Sequence, residues 1–279
     1  MSLLVVGALH WDVVVRAPRL PELDETLRGQ GVAYQFGGKG GNQAVAAARA
    51  GAQVSFAGRI GSDAAGAAMR DILIAERVDV SQLQQGDGAS GMSAAIVTET
   101  GEYGAVIVSA ENHALELARF EIPPECRVIL LQNEMTADVV SHCAAAAKAA
   151  GVSVIWNAAP AVGIEPEDLA AVSTLIVNRV EAEGILGRSV GKEPAVDALA
   201  RLAPHAEIIL TLGGEGVAFR APNGTIQTQA AHPVTVKSTH GAGDVFVGTF
   251  AAHRLNGCSL GEAVSAGQQA AAVHISQSR

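Results

Sequence analysis

Six short apolar runs recur along the chain: Leu3 to Gly7, Val54 to Ala57, Val128 to Leu131, Val152 to Trp156, Thr174 to Asn178 and Ile208 to Leu212. Runs of this length without polar alternation suit strands buried on both faces, so they predict a mostly parallel sheet. Between them lie Gly40 to Ala50, Ala64 to Glu76, Ala137 to Ala150, Glu167 to Ala171, Ala182 to Leu186 and Ala195 to Ala203, which predict helices on both faces of that sheet. The fold class read from this pattern is α/β, and ligands then belong at the carboxyl ends of the strands. A chain of 279 residues that is 49% hydrophobic can bury one substantial core. Aromatic residues are only 4% of it, so helices pack on the sheet through alanine and glycine. Two stretches break the rhythm. Val13 to Phe36 and Met92 to Val108 carry short alternating segments, with a hairpin turn expected near Thr100-Gly101-Glu102.

Thr239-His240-Gly241-Ala242-Gly243-Asp244 is the first stretch that points to chemistry. Pro233 to Val236 before it reads as a strand, and Val245 to Leu255 after it is apolar at helical spacing. A helix starting at the glycines directs unpaired N–H groups and a partial positive charge outward, which suits a phosphate. Asp244 there is either a helix cap or a base that takes a proton from an attacking hydroxyl. A second such stretch, Gly37-Gly38-Lys39-Gly40-Gly41-Asn42-Gln43, opens the helix-forming run Ala44 to Ala50. Its glycines let a ligand approach the backbone, and Lys39 and Asn42 supply polar groups. It is not a Gly-x-x-x-x-Gly-Lys-Ser/Thr phosphate loop, because no hydroxyl follows the lysine, and Gln43 stands where a Rossmann motif needs glycine.

The formal net charge of −9 argues against nucleic acid or an anionic membrane as partner. Cys126, Cys143 and Cys258 are scattered and lack metal-ligand spacing, as expected of reduced thiols in a cytoplasmic protein. No apolar run approaches a membrane span, and the first residues lack the pattern of a signal peptide.

Taken in order, Val5-Val6-Gly7, Asp12, Gly37 to Ala44, Gly58 to Asp63 with Gly66, Gln132-Asn133-Glu134, Asn178 to Glu181, Thr211-Leu212-Gly213 and Gly241 to Asp244 resemble the ribokinase-like (phosphofructokinase B type) sugar and nucleoside kinases over nearly the whole length. The resemblance implies one ribokinase-like domain, a three-layer α/β/α fold whose mostly parallel sheet carries a small β lid made from about 13–36 and 92–108. It implies ATP- and Mg2+-dependent phosphorylation of a primary hydroxyl. Asp244 is then the base, and the N–H groups of Gly241, Ala242 and Gly243 form an anion hole. Asn178 and Glu181 match the motif that holds magnesium and phosphates, the alternative being a strand end and helix cap. Thr211, Gly213, Gly216 and Gln268 fall to the nucleotide, and His10, Asp12, Gly38, Lys39, Asn42 and Glu134 to the substrate. Glu111 and Asn112 match a segment that related kinases bring to the sugar. A homodimer through the lids is also expected.

Two departures matter. His10-Trp11-Asp12 replaces the Asn-x-Asp of many sugar kinases, so His10 either donates to a hydroxyl or stacks on a base, and Trp11 is either core or pocket wall. A nucleoside therefore stays open beside a small sugar. Ser238 stands where potassium-activated members carry an aspartate, so a K+ site is expected to be absent or degraded. A noncatalytic nucleotide- or sugar-binding regulator of the same fold is the third reading.

Overall fold

The computed structural model describes residues 1–100 and 102–277. The first part of the chain forms β1 (Ser2–Val6), β2 (His10–Ala17), β3 (Gly31–Gly37), α1 (Lys39–Arg49), β4 (Val54–Gly61), α2 (Ala64–Ala75) and β5 (Asp79–Gly86). It continues with β6 (Met92–Thr98), β7 (Tyr103–Val108), β8 (Cys126–Gln132), α3 (Ala137–Ala149), β9 (Ser153–Asn157), α4 (Pro166–Leu169), β10 (Thr174–Asn178) and α5 (Arg179–Leu186). The last part holds α6 (Lys192–Leu202), β11 (Glu207–Thr211), β12 (Val217–Arg220), β13 (Gln227–Gln229), α7 (Ala242–Leu255) and α8 (Leu260–Ser276).

Nine strands form one sheet in the order β13-β12-β11-β10-β9-β8-β1-β4-β5. From β11 to β5 every pair is parallel, and β12 and β13 finish the sheet antiparallel. Side chains alternate along each strand, which makes two cores. Leu4 and Val6 of β1 join one cluster with Val139 and Cys143 of α3, Ala182 of α5 and Val196 of α6. Leu3 and Val5 join the other with Ala44 of α1, Met69 of α2, Phe250 of α7 and Val264 of α8. The result is the three-layer α/β/α arrangement expected from the apolar runs. Cys126, Cys143 and Cys258 are free thiols.

The two stretches that broke the rhythm supply a separate four-stranded sheet, in the order β3-β2-β6-β7. Trp11↔Phe36 and Trp11↔Met92 are paired positions, so β2 is one of its two inner strands, beside β6. The β6–β7 hairpin turns where expected, with the Thr98 N–H donating to the Glu102 carbonyl at 2.9 Å, though Gly101 lies outside the described residues.

Two expectations need correction. Residues 233–236 form no strand: Pro233 lacks a donor, Val234 and Val236 are 39% and 54% exposed, and no ladder pairing involves the segment among the described residues. Instead the segment is tied to the end of α8, where the Ile275 carbonyl accepts from the Lys237 N–H at 2.8 Å. The helix read as Glu167 to Ala171 is the short α4, Pro166–Leu169.

Candidate active site

Lys39, Asn42, Glu134, Glu181 and Asp244, all singled out in the sequence, gather beyond the carboxyl ends of the parallel strands. Gly41 leads in from there, because its N–H donates to the Ala8 carbonyl just beyond β1 at 3.2 Å. Gly38, which caps α1, has φ 85° and ψ 134°, and a Cβ there would lie 2.6 Å from the Ala8 carbonyl oxygen. Only glycine suits both the backbone conformation and that approach. The turn sets Lys39 at the first position of α1, where its N–H donates to Glu134 Oε2 at 2.7 Å.

Asp244 lies on the first turn of α7 and is 8% exposed. Its Oδ1 accepts from Gln43 Nε2 at 3.0 Å, and its Oδ2 accepts from Asn42 Nδ2 at 3.3 Å. Burial raises its pKa above the ordinary carboxylate value, against the opposing pull of Lys39 and the two amides. Gly241 caps the helix in the left-handed conformation, φ 73°. The Ala242 N–H is turned to the Thr239 carbonyl at 3.2 Å. Those of Gly241 and Gly243 have no backbone acceptor among the described residues, leaving two of the three expected amides aimed outward.

Glu134 follows β8, and burial is the main force that pushes its carboxyl up to about 7, with Asp244 and Asp12 adding to the effect and Lys39 opposing it. Lys39 therefore stands among Glu134, Glu181 and Asp244 and favours the charged form of each. Asn178 and Glu181 make a full capping box on α5: Asn178 Oδ1 accepts from the Glu181 N–H at 2.9 Å and Glu181 Oε2 accepts from the Asn178 N–H at 2.8 Å. Glu181 Oε1 also accepts from Asn178 Nδ2 at 2.9 Å. The cap and the site reading thus fall on the same two residues, since burial raises the Glu181 pKa and Asp244 and Lys39 both act on it.

On β2, His10 and Asp12 face the same way. Asp12 is 9% exposed and its Oδ1 accepts from the Ser93 hydroxyl at 2.5 Å. His10 is 4% exposed, its Nε2 has no hydrogen-bond partner among the described residues, and burial lowers its pKa despite the opposing charge of Asp12. The imidazole is held neutral. Trp11 is partly buried against the core.

Thr211 closes β11, where its hydroxyl donates to the Val177 carbonyl at 3.4 Å, and Gly213 and Gly216 form the turn to β12 with φ 57° and 95°. Gln268 on α8 donates to the Ala230 carbonyl at 3.2 Å and so anchors the segment leading to Gly241. Glu111 pairs with Arg59 at 2.6 Å, and the fully buried Asn112 side chain both accepts from and donates to the Leu9 backbone. Asn112 thereby positions the chain just before His10, while Glu111 also accepts from the Gly88 N–H at 2.8 Å. Sequence reasoning passed over Gln43, Gln132 and Asn157 as functional residues; the signal was a polar amide ending each of two apolar strands.

A family model for pfkB family carbohydrate kinases matches residues 1–279. The chain belongs to that family. This pfkB-family kinase is 33% identical to a ribokinase of Haemophilus influenzae over 99% of its own length and 92% of the relative's. It is 29% identical to a ribokinase of Schizosaccharomyces pombe, again over 99% and 92%. Among solved structures, Arabidopsis thaliana ribokinase complexed with ribose and ATP is similar at a TM-score of 0.90 and 26% identity, covering 100% of this chain and 93% of that one. The kinase is a phosphotransferase with an alcohol group as acceptor, ribokinase-like in sequence and fold.

Proposed function

We propose that this kinase uses ATP to phosphorylate a primary hydroxyl of a small sugar, with Asp244 as the base. The buried Asp244, set beside outward-facing amides at the start of α7, is the observation that carries the reading. The substrate O–H bond breaks and its proton goes to Asp244 while the oxygen attacks the γ-phosphorus. The bond from that phosphorus to the ADP oxygen breaks, and the Gly241 and Gly243 N–H groups stabilise the charge that develops. Asp12, Glu134, Asn42, Lys39 and the neutral His10 supply hydrogen-bonding groups for a polyol. Thr211, Gly213, Gly216, Asn178 and Gln268 lie along the nucleotide's side of the site, and the four-stranded sheet acts as a lid that keeps water out.

Magnesium fits this site in one way. Among the described residues no three His, Cys, Asp or Glu side chains come together as a metal cage, and both Glu181 oxygens already accept from Asn178. An ion held by phosphates and water, with Glu181 in reach, suits that donor set, and it would neutralise phosphate charge. Potassium fits poorly. The His240 carbonyl is paired with His274 Nε2 at 2.9 Å, and the Ile275 carbonyl already accepts from Lys237 and Ser238. These bonds tie the 237–240 loop to the end of α8, and Ser238 in it supplies no carboxylate for a cation.

Val32, Tyr34, Val106 and Val108 of the lid sheet are 57%, 62%, 67% and 51% exposed, which supports a homodimer through the lids. Among the described residues no helix is long and apolar enough to cross a membrane.

The test is ADP release with ATP and magnesium across pentoses, hexoses and nucleosides, beside Asp244→Asn. Turnover of a sugar that the variant abolishes supports the reading. Turnover of a nucleoside alone moves the substrate class, and undiminished turnover by the variant removes Asp244 as base.

A further inference from the structure

Gln43 is 0% exposed, yet every polar atom of its side chain has a partner. Its Oε1 accepts from Gln132 Nε2 at 2.7 Å, and its Nε2 donates to both Asn157 Oδ1 and Asp244 Oδ1, each at 3.0 Å. Asn157 in turn donates through Nδ2 to the Ile176 carbonyl at 3.1 Å. A backbone carbonyl can only accept, and that fact orients the whole chain of amides. Asn157 must turn its NH2 to Ile176, so its oxygen faces Gln43. Gln43 must then offer its NH2 to Asn157 and Asp244 and its oxygen to Gln132. The anchors are rigid, because Gln132, Asn157 and Ile176 sit on the adjacent strands β8, β9 and β10 in register, Gln132↔Asn157 and Ile176↔Asn157. Gly248 permits the close approach of α7, since a Cβ there would lie 2.3 Å from the Gln43 carbonyl oxygen.

We infer that Gln43 is a positioning residue for phosphoryl transfer: it holds Asp244 Oδ1 as an acceptor only, so that the proton leaving the substrate hydroxyl is received on Oδ2. An amide NH2 that is locked toward Oδ1 leaves no room for a proton there. Oδ2 faces Asn42, whose amide is half-buried and whose bond to it is the longer one at 3.3 Å. Turning that amide over lets the Asn42 oxygen accept from the protonated acid. The same Gln43 bond keeps a desolvated carboxylate charged and ready to act as a base. This inference rests on the reading of Asp244 as base.

Gln43→Glu tests it. The acid form keeps the donor to Oδ1 and the acceptor for Gln132, whereas the ionised form sets a second carboxylate against Asp244. With Asp244 as base, the wild-type turnover number is expected to rise with pH and then level. In Gln43→Glu it is expected to fall again at higher pH, giving a bell, with KM for sugar and ATP little changed. Gln43→Met keeps the length and loses both amide groups; it is expected to lower the turnover number by about ten- to a hundredfold without a descending limb. Both are measured beside thermal melts and nucleotide binding, so that a folding loss is seen as such. A Gln43→Glu profile of wild-type shape together with a Gln43→Met turnover near wild type overturns the inference while leaving the base in place. Undiminished turnover by Asp244→Asn overturns the base and the inference together. If Gln43→Glu does not fold, the loss of turnover in Gln43→Met at unchanged KM decides alone, and its absence overturns the inference.

Discussion

Replacing Glu134 by glutamine should change how stability depends on pH, and the direction follows from the burial of that carboxyl. Its pKa is raised to about 7 in the folded protein from an ordinary 4.5. The folded state therefore binds the proton more tightly than the unfolded chain does. The stability linked to this group is complete below the unfolded pKa and is lost as pH rises through the folded one. Over that window the loss amounts to about 3 kcal/mol, at roughly 1.4 kcal/mol for each tenfold change in proton concentration. Glutamine keeps a carbonyl oxygen for the Lys39 N–H that Glu134 now accepts at 2.7 Å, and it has no charge to bury. Urea unfolding of wild type and Glu134→Gln without ligands, at about pH 5 and about pH 8, measures the effect. The stability of the variant relative to wild type should rise by about 2.5 kcal/mol between the two conditions, most of the full window. An equal gap at both pH values would mean that Glu134 is no more buried than an ordinary surface carboxyl, and the electrostatic account of the site would fail with it.

Burial also raises Asp244, so the wild-type turnover number should climb with pH through a value above the ordinary carboxylate range; a profile already flat in acid would contradict the base assignment. Replacing sodium by potassium should leave the rate little changed, because Ser238 offers no anionic oxygen where potassium-activated members carry an aspartate, and a clear rise would refute this. Gly38→Ala forces a Cβ against the Ala8 carbonyl at φ 85° and should cost about 3 kcal/mol or more with loss of sugar binding, read by melting and KM; a variant as stable as wild type would refute the close approach.

What the sequence disclosed follows from how locally each feature is encoded. The central strands were readable because both faces of β1, β8, β9, β10 and β11 are buried, which leaves continuous apolar runs. β5, Asp79–Gly86, escaped notice because it lies at the sheet edge and is largely polar, and the three-residue β13 offers too little pattern to detect. Val234 and Val236 misled in the opposite sense, since β-branched residues beside Pro233 look like a strand but have no partner. At the site, the glycine turns and Asp244 announced themselves as motifs. The amides behind Asp244 did not: Gln43, Gln132 and Asn157 carry no spacing rule, and only strand register brings the last two together. The segment holding Glu111 and Asn112 was visible in the sequence, but their partners, Arg59 and the Leu9 backbone, were not.

The bond from Asn42 to Asp244 joins residues 202 apart in sequence, and that from Gln43 spans 201. Contacts so remote must close an exceptionally long loop before they return any stabilisation, so they belong to the late part of folding. A ribosome has to release nearly the whole polypeptide before this chemistry can exist. Recovery of activity after dilution from denaturant should accordingly lag behind the return of helical signal, and turnover becomes a gauge of whether the two ends of the chain have met.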